Sequence, residues 1–197
     1  MPAGFDLTQL LALAAALGFA SGIRLYAVVL AVGLAGWFGW VELPGGLSVL
    51  AQPWVLVLTG LFVALEFLAD KIPGVDSVWD SVSTFIRIPG GALLAASVFG
   101  FDQATAAAIA ALLGGSLAAT GHFAKAGARA AINTSPEPFS NVAASSAEDA
   151  GIVGLVWLAF AHPLAALAAV LALVALSLWL IARFIRLLRQ LLRRREA

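Results

Sequence analysis

The stretch LTQLLALAAALGFASGIRLYAVVLAVGL, Leu7–Leu34, carries a single charge, Arg24, in 28 residues. A helix that crosses a bilayer needs about 20 mostly apolar residues, so this run is long enough to span. A charge at the membrane centre costs about 2.5–3.5 kcal/mol on insertion scales, so Arg24 is expected to face a partner, water or a transported species.

The same pattern continues through the chain. Of 197 residues 62% are hydrophobic and 11% charged, with a mean hydropathy of +1.00. The sequence therefore reads as all-α, a polytopic transmembrane helical bundle. A soluble domain of this size could not cover its surface with so few charges. A transmembrane barrel would alternate apolar and polar residues, and these runs are continuous. With no cysteine, disulfides, thiolate metal sites and cysteine nucleophiles are excluded. No Lys or Arg precedes the first run, unlike the basic leader of a cleaved signal peptide, so residue 7 is expected to open the first span.

About six spans follow from the walk along the chain. The first, residues 7–34, ends in the aromatic cluster Trp37-Phe38-Gly39-Trp40, suited to the headgroup boundary. The second covers 54–69, with Pro53 at its start, and Asp70-Lys71-Ile72-Pro73-Gly74 reads as a turn. Residues 75–87 are amphipathic, and Pro89-Gly90-Gly91 is expected to break or kink that helix before a short apolar piece ending near Phe101. Asp102 is the expected N-cap of a fourth span, 103–132, where 13 Ala and 4 Gly fill 30 positions and allow close helix approach. Ser145-x-x-Glu148 reads as a capping box opening the fifth span, which stops at His162-Pro163. The sixth runs over 164–185 into an arginine tail.

Six of the eleven basic residues lie after position 182. With six spans and both termini cytoplasmic, Lys71, Arg87, Lys125, Arg129 and the tail share the inner face, as the positive-inside rule asks. Gly4-Phe5-Asp6 is repeated as Gly100-Phe101-Asp102, and Ala20-Ser21-Gly22 resembles Ala119-Thr120-Gly121. These matches suggest two inverted three-helix halves, residues 1–100 and 101–185, followed by a basic cytoplasmic tail at 186–197.

The segment from Glu66 through Asp70, Lys71, Pro73, Asp76, Trp79 and Asp80 to Arg87 is unusually rich in carboxylates. Together with Asn133-Thr-Ser-Pro136-Glu137-Pro138 and Ser145-Ser-Ala-Glu148-Asp149 it resembles a bacterial family of small integral membrane proteins known as domain of unknown function 4126. The resemblance covers nearly the whole chain apart from the tail. It implies helical architecture in a bacterial inner membrane and brings no established substrate or catalytic residues.

Function must therefore come from the residues. Glu66 and Asp70 project from one helix face, and Asp76 and Asp80 repeat that spacing. Four such carboxylates could bind a cation or relay protons, although Asp76 and Asp80 are also explained by a solvated inner rim, with Arg87 balancing Asp80 and Lys71 balancing Asp70. Glu66 lies in an otherwise uncharged run, and Arg24 is expected either to pair with it or to hold a carboxylate or phosphate group, with pairing preferred because an unpaired buried charge is seldom tolerated. His122, Lys125 and Arg129 form one helical stripe that either faces an anion or snorkels outward. Asn133, Glu137, Glu148 and Asp149 are candidates for a shared inner vestibule, with helix capping the simpler role for Glu148.

No Walker sequence, dinucleotide fingerprint or H-E-x-x-H is present, and Gly114-Gly115-Ser116 does not complete a nucleophile elbow, so an enzyme is not expected. No cofactor is called for beyond a bound cation of unknown kind. The partners are the bilayer, anionic lipid at the arginine tail and a second copy of the chain, and nucleic acid is not among them. The leading expectation is a small ion or solute transporter or channel with a carboxylate-lined path. An anionic-lipid-handling protein and a non-catalytic membrane scaffold are the alternatives.

Overall fold

The computed structural model describes residues 4–195 apart from Pro73, 101–102 and 133–138, and apart from the side chains of Asp76, Ser77, 187–188 and 191–195. The expected N-cap Asp102 and the candidates Asn133 and Glu137 lie outside the described residues. So do the side chains of Asp76, Arg193, Arg194 and Arg195.

The described chain is helical: α1 (Leu7–Trp37), a 3-10 helix (Gly45–Ala51), α2 (Pro53–Ala69), α3 (Val75–Ser97), α4 (Ala104–Ile132), α5 (Phe139–Ala161) and α6 (Pro163–Arg195). Local chemistry sets several of these ends. Asp6 caps α1 in a reciprocal capping box, its carboxylate accepting from Gln9 N at 2.8 Å while Gln9 Oε1 accepts from Asp6 N at 2.9 Å. Pro53 and Pro163 open α2 and α6, where a missing amide proton leaves no helical bond unmade.

Among the described residues four helices are long and apolar enough to cross a membrane, α1, α4, α5 and residues 163–186 of α6, and the 3-10 helix with α2, bent by 74°, passes the same test when the pair is taken together. The outer surface is coated with large apolar side chains, among them Trp54, Leu61, Phe85, Leu112, Trp157 and Leu164, while the buried set includes four Arg and Lys side chains. Apolar outside and charged inside is the build of a multi-pass membrane protein.

α1 is not one straight rod. Arg24 has non-helical backbone angles, φ −147° and ψ 82°, which divide the helix into arms at 7–23 and 25–37. The first arm packs on α4 in parallel: a Cβ on Gly18 would lie 2.7 Å from Gly114 Cα, and one on Gly22 would lie 2.8 Å from Ala118 Cα. A straight continuation would carry residue 37 about 20 Å beyond Arg24. Instead Gly33 in the second arm abuts Leu56 and Leu50, and Gly45 lies against Val98 and Gly100, at the end of the bundle where α1 begins. The two arms therefore form a hairpin with Arg24 at its tip.

The bundle centre is built from this hairpin with α3 and α4. Leu10, Leu13, Leu17, Val28, Val32, Leu47, Leu94, Val98 and Phe99 share one apolar core. Contact between the backbones is close because Gly18, Gly22, Gly91 and Gly114 remove side chains at the crossings.

Two sequence expectations change. α3 runs unbroken through Pro89; a proline within a membrane helix is tolerated when neighbouring helices support the turn that loses a bond, and Gly90 and Gly91 seat α3 on Leu25 and Ala118. α5 is already helical at Phe139, so Ser145 stands well inside it and Ser145-x-x-Glu148 is not a capping box. The first arm packs on α4 in parallel, and the second arm, reversed at Arg24, runs the other way.

Candidate functional site

Charged side chains from five helices meet at the end of the bundle where the α1 hairpin turns. α2 supplies Glu66 and its C-cap Asp70, α3 supplies Asp80 and Arg87, α4 supplies Lys125 and Arg129, and α5 supplies Glu148 and Asp149. Glu66 with Asp70 and Lys125 with Arg129 are one turn apart and Asp80 with Arg87 two turns, so each of these pairs shares a helix face, while the adjacent Glu148 and Asp149 both reach Arg24 Nε, at 3.5 and 3.1 Å. Arg24, Glu66, Asp70 and Arg87 are fully buried, and Asp80, Lys125 and Arg129 are nearly so.

Two linked centres result. In the first, Asp70 Oδ2 lies 2.6 Å from Arg24 Nη2, 3.2 Å from Lys125 Nζ and 3.7 Å from Arg129 Nη2. In the second, Arg87 bridges two acids, reaching Asp80 through Nη1 at 2.6 Å and Glu66 through Nη2. Lys125 joins them, 3.5 Å from Asp80 and 3.4 Å from Glu148. Arg129 holds Glu148 with two nitrogens, at 3.3 and 3.0 Å, and donates to Asn141 Oδ1 at 3.2 Å and to the Asp70 carbonyl at 3.2 Å. Arg24 donates to Ser145 Oγ at 2.7 Å and places Nε 3.1 Å from Asp149.

Five carboxylates thus face four cations, which keeps the buried charge close to balanced. Fixed geometry and mutual pairing are what allow such charges to leave water at all. Several buried atoms of the network, Arg24 Nη1, Arg87 Nε, Glu66 Oε2, Asp70 Oδ1 and Asp80 Oδ2, have no hydrogen-bond partner among the described residues. Among those residues, no group of three or more His, Cys, Asp or Glu converges as a metal site. Beside the network, Lys71 lies over the Phe67 ring, its Nζ 3.0 Å from the centroid and 3.5 Å from Ser145 Oγ. Partial burial lowers its ammonium pKa, against the opposing pull of Asp149.

The arrangement differs from the sequence expectation in three places. Arg24 pairs with Asp70 and not with Glu66, because Asp70 closes α2 at the level of the hairpin tip while Glu66, one turn back, faces α3. Asp80 is buried at 3% exposure and does not sit on a solvated rim. Asp70 is neutralised by Arg24, Lys125 and Arg129, with no ion pair to Lys71 among the described residues. Of the two orientations open to the His122, Lys125 and Arg129 stripe, the inward one is found, with His122 Nε2 2.7 Å from Thr84 Oγ1. The expected balance of Asp80 by Arg87 is present. Arg87, Asn141 and Ser145 prove central; the spacing of Asp80 and Arg87, two turns apart on one face, was the signal for the first.

Residues 11–183 match the family described as Domain of unknown function (DUF4126). The chain belongs to that family. No curated protein and no solved structure matches it. The matched range includes every member of the ion network and stops at the first tail arginine, Arg183.

Proposed function

We propose that the protein is a small transporter in a bacterial cytoplasmic membrane, moving an ion or small charged solute with protons carried by the carboxylates of the network. The observation that carries this reading is the break of α1 at Arg24 inside the buried charges. Discontinuous membrane helices free backbone groups and bring half-helix ends to one depth, and transporters use such ends to hold charged species. Here the carbonyl of Ile23, at the break, accepts from Lys125 Nζ at 3.3 Å.

The alternation of charge favours a proton over a metal cation. A metal ion would sit among four cationic side chains and be repelled. A proton instead neutralises one carboxylate and releases its basic partner to reorient, which is a local switch of charge with a structural consequence. Glu66 Oε2, Asp70 Oδ1 and Asp80 Oδ2, which lack partners among the described residues, are the oxygens able to take it.

The contacts support a hairpin that enters and leaves on one face, followed by five crossings, α2 to α6; α3, too polar to count as a span by composition, crosses in this arrangement because Asp80 and Arg87 are paired inside the bundle. The arms are about 26 and 20 Å long at helical rise, shorter than a full hydrocarbon core. Trp40 and His162 then lie outside and Ile72 and the arginine tail inside, in keeping with the positive-inside rule. The start of α1 falls outside in this arrangement, unlike the six-span count with both ends inside.

The test is proton flux into proteoliposomes holding an entrapped pH-sensitive dye under an imposed potassium diffusion potential. Flux above protein-free vesicles is expected for the natural sequence, falling to background in Asp70→Asn and Glu66→Gln at equal folded content. A natural protein indistinguishable from empty vesicles, with and without added small solutes, removes this reading.

A further inference from the structure

Away from the ion network, a groove of about 610 Å³ runs between the second half of α4 and the last membrane turns of α6. Phe123 and Gly127 line it from α4, Leu180 and Phe184 from α6, and Arg183 closes its mouth. A Cβ on Gly127 would meet nothing within 4 Å, so the groove is open space and not a helix contact. Arg183 also lines a second concavity of about 250 Å³, together with Trp179, Arg186 and Gln190.

Depth decides what could fill both. The 20 residues of α6 from Pro163 to Ala182 carry no charge and extend about 30 Å, one hydrocarbon thickness. Arg183 and Arg186 therefore stand at the membrane boundary, with Trp179 just inside it, under the Arg183 guanidinium at 5.5 Å. Neither arginine pairs with an acid among the described residues, where the network acids pair with Arg24, Arg87, Lys125 and Arg129. An occupant must be apolar along α4 and anionic at the boundary. A second copy of the chain in the same orientation would bring its own arginines to that depth, where like charges repel.

We propose that this is a binding site for one anionic phospholipid, an acyl chain lying in the α4–α6 groove and the phosphate held by Arg183 and Arg186. The groove face of α4 is the reverse of the face bearing Lys125 and Arg129, so an occupied groove braces the helix that joins the two centres of the network. The site does not depend on the transport reading.

Native mass spectrometry of the detergent-purified protein, titrated with phosphatidylglycerol or with phosphatidylcholine of identical chains, tests it. One tightly retained phosphatidylglycerol and weak phosphatidylcholine are expected. The Arg183→Gln/Arg186→Gln pair lowers phosphatidylglycerol affinity roughly 10- to 30-fold, the scale of two basic contacts near an anionic surface. Gly127→Phe, which fills the groove, abolishes retention while leaving the melting temperature near that of the natural sequence. Arg189→Gln, outside both concavities, leaves retention unchanged. Equal retention of the two lipids overturns the proposal, as does an Arg189→Gln loss equal to that of the pair, which marks a diffuse basic tail. Retention unaffected by Gly127→Phe also overturns it.

Discussion

Arg24 and Asp70 form a 2.6 Å ion pair between two side chains with no solvent exposure, one at the tip of a helical hairpin and the other at the C-cap of α2. The pair ties the turn of α1 to the end of α2. Lys125 and Arg129 close on the same carboxylate from α4, so one acid fixes the meeting of three helices.

Removing that acid leaves three buried cations without their shared counter-charge. Asp70→Ala should destabilise the protein by about 3–5 kcal/mol, the range for breaking a buried pair from one side. Arg24→Gln should cost a similar amount, and the double variant less than the sum, since the two residues are in direct contact. Unfolding in mixed micelles measures all three; strictly additive losses would show that the pair is not energetically coupled.

Arg87 is expected to resist replacement by lysine. It engages Glu66 and Asp80 through separate nitrogens of one planar group, whereas an ammonium is a single point charge. Arg87→Lys should lower stability by about 1–3 kcal/mol, the cost of leaving a buried polar group without its partner. A melting temperature equal to that of the natural protein would count against the bridging role.

Glycines of similar sequence context should behave in opposite ways. Gly22→Ala forces a Cβ into the Ala118 backbone, 2.7 Å from its carbonyl carbon. Overpacking of that kind costs about 1–3 kcal/mol. Gly127→Ala enters open space and should be neutral or stabilising by up to about 1 kcal/mol from helix propensity. Thermal unfolding of the two variants side by side reads the sign directly.

The hairpin can be located from outside the membrane. The chain has no cysteine, so single cysteines at Leu7, Trp40, Ile72 and His162, all exposed, report cleanly with an impermeant thiol reagent on sealed, oriented vesicles. Leu7, Trp40 and His162 should label from one face and Ile72 from the other. Labelling of Leu7 from the Ile72 face would mean that α1 crosses in full.

Much of the fold was written in local pattern. The run from Leu7, the proline starts of α2 and α6 and the Ala/Gly composition of α4 are short-range signals of helix formation, helix ends and close packing, and the helices appear where those signals stand. The break at Arg24 was legible only in part: Ser21-Gly22 marks a weak step where a membrane helix either packs tightly or loosens, but the segment contains no proline and the reversal itself is held by distant groups, Ser145, Asp70 and Lys125. The run through Pro89 was not legible, since its support comes from the contacts of Gly90 and Gly91 with α1 and α4.

The candidate site divides along the same line. Sequence alone determined that charges were embedded in apolar helices, because hydropathy is a property of neighbouring residues, and it singled out Arg24, Glu66 and Asp70 on that ground. Partner choice was decided by tertiary structure. One turn of α2 separates Glu66 from Asp70, and only the crossing of α1, α3 and α4 at that turn gives Asp70 to Arg24 and Glu66 to Arg87.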